Sequence, residues 1–121
     1  MKKTVFALAA ICCTLASALA QDVVKVNPKE YKVELENDQV RIVRVNRAPH
    51  SKVAMHEHPD YVVVYLTDVH QKVTAPDGTV TETTRKAGQV VYNKALKHAE
   101  ESLSDKPAEV VLIELKSKPS R

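Results

Sequence analysis

The sequence has no tryptophan, one phenylalanine, two cysteines and two glycines among its 121 residues. Both cysteines, Cys12 and Cys13, and the one phenylalanine, Phe6, fall in the first twenty residues. That segment reads as a secretory signal peptide. MKK supplies positive charge, TVFALAAICCTLASALA is apolar and uncharged, and Ala18 and Ala20 place small residues where a signal peptidase reads. The run from Thr4 to Ala20 is also short for a membrane span, which needs about 20 apolar residues. The expectation is a cleaved signal peptide over 1–20, one domain over 21–121, and a periplasmic or secreted location. The mature chain would then hold no cysteine, which excludes disulfides and thiol catalysis.

Charge is scarce in a different sense, because neither sign clusters. Removing Lys2 and Lys3 from the 18 basic residues leaves 16 against 15 acidic ones. The basic residues are scattered, so there is no nucleic-acid footprint, and after cleavage no segment is left to hold a membrane. There is no Gly-rich phosphate loop, no nucleophile elbow and no Ser-His-Asp ordering. A mature chain with neither Phe nor Trp must build its core from Val, Leu, Ile and Ala. Removing 20 of 121 residues leaves 101, enough for a modest single core.

What the chain does have is a series of short β-branched runs separated by turn signals, the pattern of an all-β sandwich or barrel. YKVEL alternates, with Val33 and Leu35 on one face. QVRIVRVN alternates with Val40 and Ile42, then with Val43 and Val45. That shift of one suggests a bulge, and Arg41 and Arg44 read as the strand's wet face. KVAMHEH alternates again, and YVVVYL is continuous, as in a strand covered on both faces. HQKVTAPDGTVTETT predicts a hairpin turning on Pro76-Asp77-Gly78. AGQVVYN and AEVVLIEL are two further strands, the last central. NKALKHAEESL is ambiguous: Ala95, Ala99 and Leu103 have helical spacing behind an N-cap Asn93, yet in a barrel the same segment would be a turn and a strand carrying His98.

Residues i and i+2 of a strand face one way, so His56 and His58 would present both rings on one side, with Cα atoms about 6.5 Å apart. Two imidazoles can chelate Fe, Mn, Ni, Cu or Zn. Glu57 would point away, and Pro59 would end the strand. Two ligands make a weak site, and His98 is the natural third if the chain folds back. His50 reads as a loop residue, His70 as solvent-facing on the hairpin, Tyr61 and Tyr65 as packing residues, and Asp68 as part of a turn.

The order of these features resembles the cupin superfamily, in particular its small exported single-domain members, from about Tyr31 to Lys116. Against the first cupin motif, G-x5-H-x-H-x3-4-E-x6-G, His56 and His58 match the histidine pair. His50 stands for the opening Gly, Val62 for the Glu and Val69 for the closing Gly. Against the second, G-x5-P-x-G-x2-H-x3-N, Gly88 matches. Lys94 and Leu96 replace Pro and Gly, His98 arrives one residue early, and Ser102 replaces Asn. The resemblance implies an all-β, single-domain, jelly-roll β-barrel with the histidines at its mouth. It argues against a helix over 93–103. It also implies a divalent metal, of unassigned identity, held by His56, His58 and His98. The usual carboxylate does not carry over, because Val62 has no donor atom. Asp60, Glu100 and, more weakly, Tyr92 are the replacements on offer, Glu100 sharing the face of His98 if that stretch is a strand.

Three functions fit this reading: a metal-dependent enzyme acting on a small molecule, a non-catalytic barrel that binds a small molecule or partner, and a metal-free barrel acting through protein contacts. A homodimer is the expected assembly on the cupin resemblance alone.

Overall fold

A computed structural model describes residues 21–117. The signal-peptide expectation, with Cys12 and Cys13, lies outside the described residues. Along the chain run α1 (Val23–Val26), β1 (Tyr31–Glu36), β2 (Val40–Arg47), β3 (Lys52–His58), β4 (Tyr61–Tyr65), β5 (Val69–Thr74), β6 (Val80–Arg85), β7 (Val90–Asn93), β8 (Leu96–Ser102) and β9 (Ala108–Leu115). Two antiparallel sheets form, one in the order β1-β2-β9-β4-β7 and one in the order β3-β8-β5-β6. This is the jelly-roll arrangement that the sequence order implied. Among the described residues no helix is long and apolar enough to cross a membrane.

Alternation sorts each strand into an inner and an outer face. In β4, Tyr61, Val63 and Tyr65 are buried, and Val62 and Val64 are half-buried on the other side. In β9, Ala108, Leu112 and Glu114 are buried, and the strand lies between β2 and β4 as its apolar run suggested. In β2 the inner face is Val43, Val45 and Arg47, with Arg41 in the same alternation. Val43 and Val45 are almost wholly buried, each contributing roughly 1.5–3 kcal/mol by leaving water. The bulge expected in β2 is not there: its register with β9 runs unbroken from Val40 opposite Leu115 to Arg47 opposite Ala108. The irregularity belongs to the neighbouring β1, between Val33 and Leu35. Both faces of β2 are partly apolar because a sheet covers one side and Val40 and Ile42 lie half-buried on the other.

The hairpin forms as expected. Gly78, at φ 88°, closes the turn by donating its N–H to the Ala75 carbonyl at 2.9 Å, a conformation that an L side chain resists. The ambiguous segment is a strand, β8, with a bend at Lys94-Ala95 in front of it. Helix propensity there loses to pairing with β3 on one side and β5 on the other.

The short α1 was not anticipated. Asp22 caps it by accepting from Val24 N at 3.0 Å. Its Val23 is fully buried, and α1 packs on β1 and on β3, the strand of His56 and His58.

Candidate metal centre

The site begins with the pairing of β3 and β8, which sets His56 directly opposite His98 and His58 opposite Leu96. A bulge in β3 between Val53 and His56 shifts the strand's parity by one. As a result Val53, His56 and His58 all face inward and are buried. The bulge also fixes a ring: Nδ1 of His56 lies 2.8 Å from the carbonyl oxygen of Ala54, inside the bulge. Only a protonated nitrogen can donate there, so Nε2 of His56 carries the lone pair.

The three rings meet edge to face, with centroids 4.8 Å apart for His56 and His58, 4.7 Å for His56 and His98, and 5.4 Å for His58 and His98. One ring nitrogen from each lies within 4.8 Å of the other two. Two nitrogens sharing one ion at about 2.1 Å can be at most about 4.2 Å apart. The triad is therefore at ligation geometry or one small ring rotation from it.

Each of the three rings also carries a nitrogen without a partner. Among the described residues, four buried side-chain atoms lack a hydrogen-bond partner, and three of them are His56 Nε2, His58 Nδ1 and His98 Nε2. A buried polar atom left unpaired costs roughly 1–3 kcal/mol. Three buried rings, each with an unpaired nitrogen and together able to bring one nitrogen apiece within 4.8 Å of the others, fit a shared cation.

Glu100 stands beside them. Its carboxylate lies 3.8 Å from His98 Nε2 and 3.9 Å from His56 Nε2. Tyr31 donates its hydroxyl to Glu100 at 3.0 Å, and Arg47 donates at 3.3 Å. Burial opposes the charge on Glu100, but the neighbouring His98 and Arg47 outweigh it and hold the carboxyl below its ordinary range. Burial, with Glu100 alongside, keeps the Tyr31 phenol protonated and donating. The site thus has a carboxylate, supplied from β8 in place of β4.

The other sequence candidates land elsewhere. Val62 points away from the interior, paired with Ile113 and Tyr92. Asp60 accepts from the Tyr92 hydroxyl at 2.7 Å and from Ala95 N at 2.8 Å, so both Asp60 and Tyr92 brace the turn into β8. His50 is exposed and pairs with Asp105 at 2.6 Å. Its φ of 57° keeps the left-handed backbone that a Gly would take at that place in the motif. His70 is half-exposed and meets Glu82. Tyr61 is buried and packs against His58, ring centroids 4.6 Å apart and planes tilted by 31°.

Arg44 does sit on the wet face, pairing with Glu34 and Glu109. Arg41 does not. It bonds Glu114 and Asp22 through both edges of its guanidinium. Sequence reasoning missed Glu114, which is 2% exposed and whose carboxylate comes within 3.8 Å of His58 Nδ1. The available signal was an acidic residue on the inner face of the run VVLIEL, two places after Leu112.

Burial lowers the affinity of the rings for protons: His98 is pulled down to about 4 and His56 is also lowered. Both are therefore neutral at pH 7, as metal ligands must be. Without metal this makes stability pH-dependent. Between about 6.5 and about 4 the unfolded chain binds a proton at His98 that the folded chain refuses. Stability is therefore intact above about pH 6.5 and falls as pH drops towards 4, by roughly 3 kcal/mol from His98 alone. Melting of chelator-treated protein at pH 7 and pH 4.5 checks this: His98→Gln should flatten the dependence, and equal stability of the wild type at both pH values would contradict it.

No family model matches the chain, and no curated protein does. Solved structures do. A cupin domain from Bordetella pertussis is 25% identical over 72% of this chain and 92% of its own, with a TM-score of 0.67. An uncharacterised protein with a double-stranded β-helix domain from Klebsiella pneumoniae is 21% identical over 74% and 87%, at 0.55. A cupin superfamily protein from Desulfitobacterium hafniense is 17% identical over 72% and 76%, also at 0.55. With the two-sheet barrel, the paired histidine strands and these neighbours together, the chain belongs to the cupin superfamily.

Proposed function

We propose that the protein binds one divalent metal ion through His56, His58 and His98, with the Glu100 carboxylate alongside, and that the site serves a small molecule entering the barrel. The observation that carries this is the cluster of three buried imidazoles, each with an unpartnered nitrogen and one nitrogen apiece within 4.8 Å of the others. The donor set is nitrogen-rich with one neighbouring oxygen, which suits Fe, Mn, Ni, Cu or Zn and disfavours Mg and Ca. A bound ion of this kind supplies Lewis acidity towards an oxygen of the small molecule, or a water more acidic than bulk.

The chain's own residues do the rest. Ala54 fixes the tautomer of His56, Tyr61 packs against His58, and Tyr31 and Arg47 hold Glu100 in place. Valine and tyrosine side chains exclude water around them. A small-molecule enzyme is the first use of such a site. The barrel that binds without turnover is separated from it by assay of the loaded protein.

Loading is the direct test. An ion at one hundred times its dissociation constant stabilises the folded state by about 2.7 kcal/mol, which for a domain of this size raises Tm by roughly 10–20 °C. Differential scanning with and without each of the five metals reads this. A Tm unchanged by all five sinks the proposal. The reading of residues 1–20 extends it: the exported protein should begin at Gln21, which N-terminal sequencing of the secreted or periplasmic fraction checks.

A further inference from the structure

Between the sheets lies a cavity of about 250 Å³ whose lining includes His58, His98 and Glu100 and also Arg85. Arg85 reaches it from β6, where alternation puts Thr83 and Arg85, half-buried, and the exposed Thr81 on the cavity side. A small barrel ordinarily fills inward positions with packed apolar side chains. Here one strand offers two hydroxyls and a guanidinium to an interior otherwise walled by residues such as Val63 and Leu112.

The fourth unpartnered buried atom of the described residues is Nε of Arg85. Its Nη1 is occupied, donating to the Thr84 carbonyl at 3.0 Å. No carboxylate lies within ion-pair distance of Arg85 among the described residues; the Tyr65 hydroxyl, which lines the same cavity, is a polar neighbour of its guanidinium. The edge of Nε with Nη2, the side of a guanidinium that grips a carboxylate through two parallel bonds, thus has an unpartnered Nε and no carboxylate against it. The other cavity arginine, Arg47, is neutralised by Glu100 at 3.3 Å. Among the charged groups lining the cavity, Arg47 and Arg85 face the one carboxylate of Glu100, so the lining is one positive charge in excess before any metal is added.

We propose that the cavity takes a small organic carboxylate, its carboxyl group held on the Nε/Nη2 edge of Arg85 and its body directed towards the histidines. This deepens the metal reading and rests on it for the ligand's orientation, whereas the carboxylate contact itself needs no metal. A volume of about 250 Å³ falls just below the range of roughly 300–1,000 Å³ for drug-sized ligands, so the ligand is a compact acid of a few carbons.

The test is calorimetric titration of chelator-treated protein with acids of two to seven carbons, acetate to benzoate, each beside its neutral amide. The expected result is that at least one acid binds and its amide binds no better than weakly. Arg85→Gln should lose at least about 30-fold in affinity, and Arg85→Lys, which keeps the charge without the fork, should fall between. Metal content should be the same in wild type and Arg85→Gln, and circular dichroism should show the variant folded. If no acid outperforms its amide, or Arg85→Gln binds as wild type does, the carboxylate proposal is overturned. His98→Ala separates the two readings: it should lose metal and keep carboxylate binding. Carboxylate binding with no metal in the wild type would remove the metal reading and leave this one standing.

Discussion

His98→Ala is expected to lower metal affinity by more than about 100-fold. Changes in outer-shell partners alone typically cost about 10–100-fold, and this change removes one of three ligands. The fold should survive, because the ring it removes is one that burial leaves without a hydrogen bond through Nε2. His98 faces His56 across the β3–β8 pairing, so its loss leaves an i, i+2 pair on a single strand, too few ligands for a catalytic site. Glu100→Gln gives the graded comparison. It keeps the three rings and removes the negative charge 3.8 Å from His98, and affinity should fall by about 10–100-fold. Competition against a chromophoric chelator measures both. Retention of wild-type affinity by His98→Ala would mean that the three nitrogens do not act together.

Arg41→Ala should unfold the protein far more readily, by roughly 3–5 kcal/mol, because it strands a buried charge. Glu114 is 2% exposed, and its listener across the barrel end is Arg41, whose Nη2 lies 2.7 Å from Oε1 and whose Nε lies 2.9 Å away. The same guanidinium holds Asp22, the cap of α1, at 2.6 and 2.9 Å. One substitution therefore leaves Glu114 unpaired and frees Asp22, the cap of α1, from its cation. For a domain of this size the loss corresponds to a fall in Tm of roughly 15–30 °C. Arg41→Ala combined with Glu114→Gln should recover much of it, since the stranded charge is gone. A fall of less than about 1 kcal/mol by urea titration would show that the pair contributes nothing net. The pair also bears on the site: tying Glu114 to Arg41 keeps its carboxylate 3.8 Å from His58 Nδ1, beyond hydrogen-bond reach, and leaves that nitrogen open.

The strands and the PDG hairpin were legible because alternation and turn residues are local signals. His56 and His58 were legible as a pair for the same reason. Their union with His98 was not, because it depends on which of two structures 93–103 adopts, and the winning term is pairing with β3 and β5. The cupin resemblance resolved that segment where propensity alone could not. Arg41 was misread because β2 carries apolar residues on both faces, so alternation gave no clear inside. Placing the irregularity in β2 in place of β1 compounded the error. Arg85 gave no sign at all: VTETTR looks like an exposed edge strand, and only the closed barrel shows Thr81, Thr83 and Arg85 facing a cavity. Glu100 and Glu114 show the same limit. A buried acid is recognisable in sequence by its apolar neighbours, but its partner comes from a distant strand.

Metal content tests the central claim most directly. The full chain, expressed without an affinity tag of histidines and purified without chelator, would be analysed for bound Fe, Mn, Ni, Cu and Zn beside His58→Ala. The account expects close to one ion per chain in the wild type and little in the variant. No metal in the wild type, even after reloading with each of the five, would contradict it.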